Sequence, residues 1–120
     1  MPKYHTLDEL LKTFNHNAKI FYERMISIAQ SCDIHIKVRL FAGQVAFYDE
    51  ATLKHTFHAS PVIVMNFLND HVNIFASANH HLFKDHQDVK LTDKDTLQYP
   101  YRVEVDHHVF QELFTLSLIS

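Results

Sequence analysis

A β-hairpin is predicted by the stretch VIVMNFLNDHVNIFA, which occupies residues 62–76. Its first half follows Pro61 and is a run of apolar, largely β-branched residues, which favours a buried strand. Asn69 and Asp70 interrupt this run, and both residue types tolerate the positive φ angles of tight turns. The returning strand begins at His71. Two strands joined by so short a turn must be antiparallel.

The segment before the hairpin has the alternation of a strand with one buried face. The turn FAGQ at residues 41–44 then leads to a second short strand over residues 45–48. Residues 49–60 show no period and are interpreted as a connection with one helical turn. The apolar residues that alternate with polar ones in the first strand are Ile34, Ile36, Val38 and Leu40.

Both ends of the chain have the 3.6-residue periodicity of amphipathic helices. An apolar stripe from Leu7 to Ile28 predicts one long helix that ends near residues 31–33. Thr6 and Glu9 match a capping box at its start. Asp106 is predicted to cap a final helix over residues 107–119.

A short helix and one more strand are predicted between the hairpin and the final helix. Ser77 is expected to cap the short helix, which ends near Asp85. The strand covers residues 96–99, and Pro100, which lacks an amide hydrogen, belongs at its end or at a sheet edge. These elements predict a single α+β domain over residues 1–120. Its antiparallel sheet of four to five strands packs against the N- and C-terminal helices in two layers.

Composition narrows the classes of function. The formal net charge of −3 argues against non-specific nucleic-acid binding, and no apolar run is long enough to span a membrane. The single glycine, Gly43, excludes glycine-rich phosphate-binding loops. The single cysteine, Cys32, excludes an intrachain disulfide and a multi-cysteine zinc site. No signal-peptide core follows Met1, so we expect a cytoplasmic protein.

Histidine is the most unusual component, because there are 11 histidines and 11 lysines plus arginines. Full protonation of the histidines would move the formal charge from −3 to +8, so the charge should respond steeply to pH near neutrality. The alternative interpretation is a biased surface composition without a function of its own.

The stretch from Pro61 to Phe75 resembles the central hairpin of the YdhG-like family of small bacterial domains. The segment TLQYP at residues 96–100 is similar to the late strand of that family, which ends in an aromatic–proline pair. The closing helix after Asp106 occupies the position of the family's last helix. The resemblance implies a compact α+β fold and, as for some members, a frataxin-like role as an iron chaperone.

In such a role surface carboxylates bind iron weakly, and the resemblance implies that the first helix would supply them. The carboxylates of that segment are Asp8, Glu9 and Glu23. The hairpin turn differs from the family pattern, because Asn69 and Asp70 stand where the family usually has basic residues.

Two histidine–carboxylate pairs are candidate metal ligands for Fe(II) or Zn(II). His108 and Glu112 are four residues apart on the final helix, and His81 and Asp85 have the same spacing in the short helix. Neutral imidazole with a carboxylate suits Fe(II), Mn(II) or Zn(II), but a closed site needs a third ligand from elsewhere. The alternative is a solvated helix surface. The two imidazoles of the segment HTFH at residues 55–58 would align only if it were helical, and a surface loop is the competing interpretation.

Asn66, His71 and Asn73 are candidate ligand-binding residues. If the three share one face of the sheet, they form a polar patch that a ligand or water must satisfy. The competing interpretation is a set of hydrogen bonds that fixes the register of the hairpin.

The sequence therefore favours a non-enzymatic binding protein for a metal ion, such as iron, or for a small ligand. A protein-interaction module that acts as a homodimer is the second hypothesis. An enzyme is the third, because no nucleophile–base pair or paired-acid motif is visible, although histidine-based acid–base sites can assemble in space. No nucleic-acid or membrane partner is expected.

Overall fold

Six strands form one antiparallel sheet in the computed structural model, which describes residues 4–54, 57 and 60–119. Their order across the sheet is β1-β2-β3-β4-β6-β5, and every pair of neighbours is antiparallel. The strands are β1 (Ile36–Phe41), β2 (Gln44–Asp49), β3 (Val62–Phe67), β4 (His71–Phe75), β5 (Lys90–Leu91) and β6 (Leu97–Pro100). The predicted α+β class is confirmed. The expected four to five strands become six, because β5 is too short to show any alternation.

The helices supply the second layer. They are α1 (Leu7–Leu11), α2 (His16–Cys32), α3 (Asn79–Phe83) and α4 (His107–Phe114). A π-helical turn, Thr115–Ile119, continues α4, and a 3-10 turn, Glu50–Thr52, follows β2. No helix among the described residues is both long enough and apolar enough to cross a bilayer.

The core lies between α2, α4 and one face of the sheet. Phe21 of α2 and Phe110 of α4 both contact Tyr99 of β6, with ring centroids 5.6 Å and 5.3 Å apart. Phe83 of α3 lies 5.8 Å from Phe110. All four rings are buried. The aromatic cluster therefore fixes three helices against the sheet. We call the opposite side of the sheet the open face: no α-helix of the described residues covers it, although the Phe57 ring packs there against Phe41 and Tyr48.

The long helix predicted for the N-terminal segment is wrong, because the chain breaks between α1 and α2. Thr13 donates its hydroxyl hydrogen to the Leu10 carbonyl at 2.7 Å, and Asn15 accepts from the Ala18 amide at 2.9 Å. Both side chains offer the backbone an alternative to a continuous helix. A new helix thus begins after Asn15. The cap at Thr6 is confirmed, since its hydroxyl accepts from the backbone amide three residues later at 3.2 Å.

The start of β1 and the turn between β3 and β4 differ from the prediction. Ile34 precedes β1 and is 76% exposed rather than buried. The turn between β1 and β2 is confirmed, with Ala42 at φ 52° and Gly43 at φ 76°. The turn between β3 and β4 does not use positive φ, since among the described non-glycine residues only Ala42 and Asp95 do. Instead the Leu68 amide donates to the carbonyl at the start of β4 at 2.9 Å.

The predicted cap at Ser77 is wrong, whereas the cap at Asp106 is confirmed. Helix α3 begins at Asn79, whose buried amide donates to the Ile74 carbonyl at 2.8 Å and to the Asp95 carbonyl at 2.9 Å. These bonds anchor the start of α3 to the sheet, and no side chain caps it. Asp106 accepts from the backbone amides of residues 108 and 109 at 3.0 Å and 3.2 Å.

Candidate functional site

The open face carries a row of amide side chains that crosses three strands. Asn66 of β3 lies opposite Asn73 of β4, and Asn73 lies opposite Gln98 of β6. We call these three residues the amide ladder. Lys90 of β5 continues the row beside Gln98. His71 is two residues from Asn73 on the same strand, so it points to the same face. Asn66, His71 and Asn73 thus share a face; their role as ligand contacts remains a prediction.

The centre of the amide ladder holds an acceptor without a donor. The side-chain oxygen of Asn73 is shielded from solvent and has no hydrogen-bond partner among the described residues. Such a group costs about 1–3 kcal/mol when it is left unpaired. Directly opposite side chains on adjacent strands have Cβ atoms about 4.5–5.5 Å apart, so the amides of Asn66 and Gln98 are the nearest candidate donors on this face.

A cleft of about 710 Å³ adjoins the amide ladder at the end of the sheet. It lies between the turn of the β3–β4 hairpin, the end of β6, the segment before β5 and the start of α2. His71 and Gln98 connect it to the open face. Its charged lining comprises Asp70, Asp88, Lys90 and Arg102.

Hydrogen bonds from two directions hold the hairpin turn that forms one wall of the cleft. From the N-terminal cap of α2, the side-chain amide of Asn15 donates to the Asn69 carbonyl at 2.9 Å. From the end of β6, the Tyr101 hydroxyl donates to the Leu68 carbonyl at 2.7 Å, and the Tyr101 backbone amide donates to the Asp70 carbonyl at 3.1 Å. Burial raises the pKa of Tyr101 to about 12, so its hydroxyl stays a donor at neutral pH. The wall is therefore pre-organised.

His71 is oriented by its neighbour. Its Nδ1 lies 2.6 Å from a carboxylate oxygen of Asp70, and this hydrogen bond holds the pKa of Asp70 below its ordinary value. A carboxylate can only accept, so Nδ1 carries the hydrogen. In the neutral ring Nε2 is then an acceptor, and a bound molecule with an N–H or O–H group can donate to it.

The cleft lining carries two cations and two carboxylates, but its cations are not in direct contact with its carboxylates. Among the residues that the structure describes, neither Lys90 nor Arg102 forms an ion pair. An arginine side chain presents a planar fork of donors that matches a carboxylate, and a lysine adds a point charge. Amide and imidazole groups lie on the same surface. The cleft can therefore hold a small molecule that combines an anionic group with hydrogen-bonding groups.

The candidate metal ligands do not converge. His81 and Asp85 are exposed, and Asp85 lies beyond the end of α3. His108 and Glu112 line a shallow groove of about 360 Å³ on α4, and its other described lining residues, Gln111, Thr115 and Leu116, are not typical metal ligands. Within the described parts of the chain, no three histidine, cysteine or acidic side chains lie close enough together to hold a metal ion. Binding of Fe or Zn at these pairs remains a prediction. His55 and His58 lie outside the described residues.

The carboxylates implied by the family resemblance are divided between two helices. The break in the N-terminal segment places Asp8 and Glu9 on α1 and Glu23 on α2. The Glu9 carboxylate accepts from the backbone amide of His5 at 3.2 Å, so it serves the helix start. The iron-binding surface that the resemblance implies is therefore not a single helix face, and iron binding there remains a prediction.

Cys32 is a structural thiol. It donates to the Gln111 carbonyl, with Sγ and oxygen 3.6 Å apart, and so connects α2 to α4. Burial raises the pKa of the thiol. A raised pKa lowers the fraction of reactive thiolate at neutral pH.

Sequence reasoning missed three residues of the cleft. Gln98 left a signal, because it lies between two apolar positions of a predicted strand and so had to face away from the core. Lys90 and Arg102 had no such signal in the sequence, since they come from a two-residue strand and from a turn.

Comparison of the chain with protein-family models, with curated proteins and with solved structures finds no match. The resemblance to the YdhG-like family therefore remains a prediction.

Proposed function

We propose that this protein is a cytoplasmic, non-enzymatic binding protein for a small polar molecule that carries a carboxylate group. The carboxylate binds Lys90 and Arg102, and the polar remainder of the molecule bonds to His71 and Gln98. The observation that supports this most strongly is the position of two cations without ion-pair partners beside an oriented imidazole in one cleft.

Calorimetric titration with citrate, glutamate and acetate tests the proposal. We expect at least one of these carboxylates to bind, and Arg102→Ala or Lys90→Ala to weaken that binding about tenfold, which corresponds to ~1.4 kcal/mol. Lys84→Ala is the matched control, because Lys84 is an exposed cation that does not line the cleft. Choline, a cation without a carboxylate, should not bind.

His71→Phe separates a binding role from a structural role. The hydrogen bond between His71 and Asp70 is solvent-exposed, and exposed pairs contribute little to folding. We expect the variant to keep the wild-type melting temperature and to lose affinity for the carboxylate that binds. A lower melting temperature with unchanged affinity would instead assign His71 to the hairpin register. Equal affinity of the wild type and of Arg102→Ala, Lys90→Ala and His71→Phe for every carboxylate tested would refute the proposal.

A further inference from the structure

Strand β1 is a long, open edge of the sheet. It pairs with β2 over six consecutive residues without a bulge, whereas the opposite edge, β5, has only two residues. Proteins usually protect such an edge with proline, a bulge, a short strand or charged side chains. Of these devices β1 has only charges, namely Lys37 and Arg39.

The pairing pattern shows which backbone groups of β1 point outward. Phe41 and Gln44 flank a two-residue turn, so they form a hydrogen-bonded pair. In an antiparallel ladder every second residue pair is hydrogen-bonded, so Arg39 and Lys37 also bond to β2 through their backbone groups. The His35 carbonyl accepts from the Glu50 amide at 3.0 Å, which fits the same parity. Val38, which has the opposite parity, therefore directs its N–H and C=O away from β2. Leu40 does the same.

An apolar groove of about 190 Å³ lies beside this edge, between β1 and α2. Ile26 and Ala29 of α2 form one wall, and Ile36 and Val38 of β1 form the other. A strand added to β1 would direct every second side chain into this groove, because successive side chains alternate between the faces of a sheet. The groove has space for small aliphatic side chains.

The other side chains of an added strand would meet positive charge. Lys37 and Arg39 are exposed on the open face, and within the described residues neither forms an ion pair. Their cross-strand partners are Tyr48 and Ala46, so no carboxylate lies opposite them. The Arg39 guanidinium carbon lies 4.4 Å from the centre of the Phe57 ring, which holds the cation near the edge.

We infer that the edge of β1 binds an extended segment of a partner protein in which acidic and aliphatic residues alternate. The segment adds a seventh strand, places its aliphatic side chains in the groove beside α2 and its carboxylates beside Lys37 and Arg39. Recognition by strand addition combines backbone hydrogen bonds with pockets for alternate side chains. A second copy of the chain is a poor occupant, because antiparallel pairing of β1 with itself brings these cations close together.

Fluorescence anisotropy with two labelled eight-residue peptides tests the inference. One peptide alternates glutamate and valine, and the other alternates lysine and valine. We expect the acidic peptide to bind at least about tenfold more tightly, which corresponds to ~1.4 kcal/mol. Hydrogen exchange of the Val38 and Leu40 amides should slow when it binds. Equal binding of both peptides, or no binding of either, would overturn the inference.

Two variants locate the binding surface. Val38→Pro removes an outward N–H without removing a bond to β2, and the charge reversal Lys37→Glu with Arg39→Glu repels the acidic peptide. We expect each to weaken binding at least about tenfold. Lys84→Glu, a charge reversal away from β1, should have no effect. If Val38→Pro does not fold, the double charge reversal decides alone, and wild-type affinity in that variant contradicts the inference.

Discussion

At the scale of single residues, Asn15 links the helical layer to the cleft. Its side-chain oxygen caps α2 by accepting from the Ala18 amide, while its side-chain nitrogen donates to the Asn69 carbonyl in the hairpin turn. One side chain thus fixes both the start of a helix and one wall of the cleft. The sequence did not predict this role, because the amide bonds to a residue 54 positions away.

Substitutions at Asn15 should separate its two bonds. Asn15→Ser retains a capping oxygen and loses the tether, which we expect to cost about 1 kcal/mol of unfolding free energy. Asn15→Ala loses the cap as well and should cost about 2 kcal/mol in total. Urea unfolding gives the unfolding free energy of both variants and of the wild type. Equal stability of the serine and alanine variants would show that the cap contributes nothing.

At the scale of elements, the turn between β1 and β2 stores strain at Ala42. Its φ of 52° lies in the left-handed region, which disfavours a residue with a Cβ atom. The following Gly43 adopts φ 76° without such a cost. An Asn-Gly pair is the favoured sequence for a two-residue hairpin turn with positive φ at both positions.

We therefore expect Ala42→Asn to raise the unfolding free energy by about 0.5–1 kcal/mol. Ala42→Val is the control with the opposite expected effect. It should destabilise the protein, because a β-branched side chain tolerates positive φ poorly. Chemical denaturation of the two variants beside the wild type gives the comparison. A destabilising Ala42→Asn would contradict the turn geometry.

Elements with strong local signals were predictable, and those created by packing were not. The turn at Gly43, the cap at Asp106 and the central hairpin all follow from residue types at short spacing. The break before Asn15 was missed because an apolar stripe continues through it, although Thr13 and Asn15 are residues that compete with a helix. Strand β5 is defined by its pairing with β6, and its two residues are too few to show the alternation that predicts a strand.

At the scale of the whole molecule, the buried Tyr99 and the half-buried Tyr101 make stability depend on pH in the alkaline range. Burial raises the pKa of both Tyr99 and Tyr101 to about 12. Because the folded pKa exceeds the ordinary value of 10.0, the folded state favours the neutral hydroxyl more than the unfolded chain does. The corresponding stabilisation is complete below pH 10 and is lost as the pH rises towards 12.

Unfolding measured between pH 9 and about pH 12 should therefore show a loss of stability that these residues cause. We expect the double variant Tyr99→Phe with Tyr101→Phe to lose less stability over this range than the wild type does. The variant starts from a lower stability, since it lacks the hydroxyl bonds to the carbonyls of residues 104 and 68. The same slope in both proteins would contradict the burial of the two hydroxyls.

The cleft itself is a property of the whole molecule. Alternation along β4 indicated that His71 and Asn73 share a face, and the strand register adds Asn66 to it, as the polar-patch hypothesis required. The register also adds Gln98 to that face. The approach of Lys90 and Arg102 to His71 depends on the order of strands, which short-range patterns do not contain.

The most direct test of the account is a titration of isotope-labelled protein with citrate and glutamate, followed by NMR of side-chain and backbone signals. We expect saturable shifts at His71, Gln98, Lys90 and Arg102, a smaller response at Asn73, and little change at His108 of α4, which does not line the cleft. Uniform small shifts, or shifts that centre on α4, would contradict the claim that this cleft binds a small carboxylate.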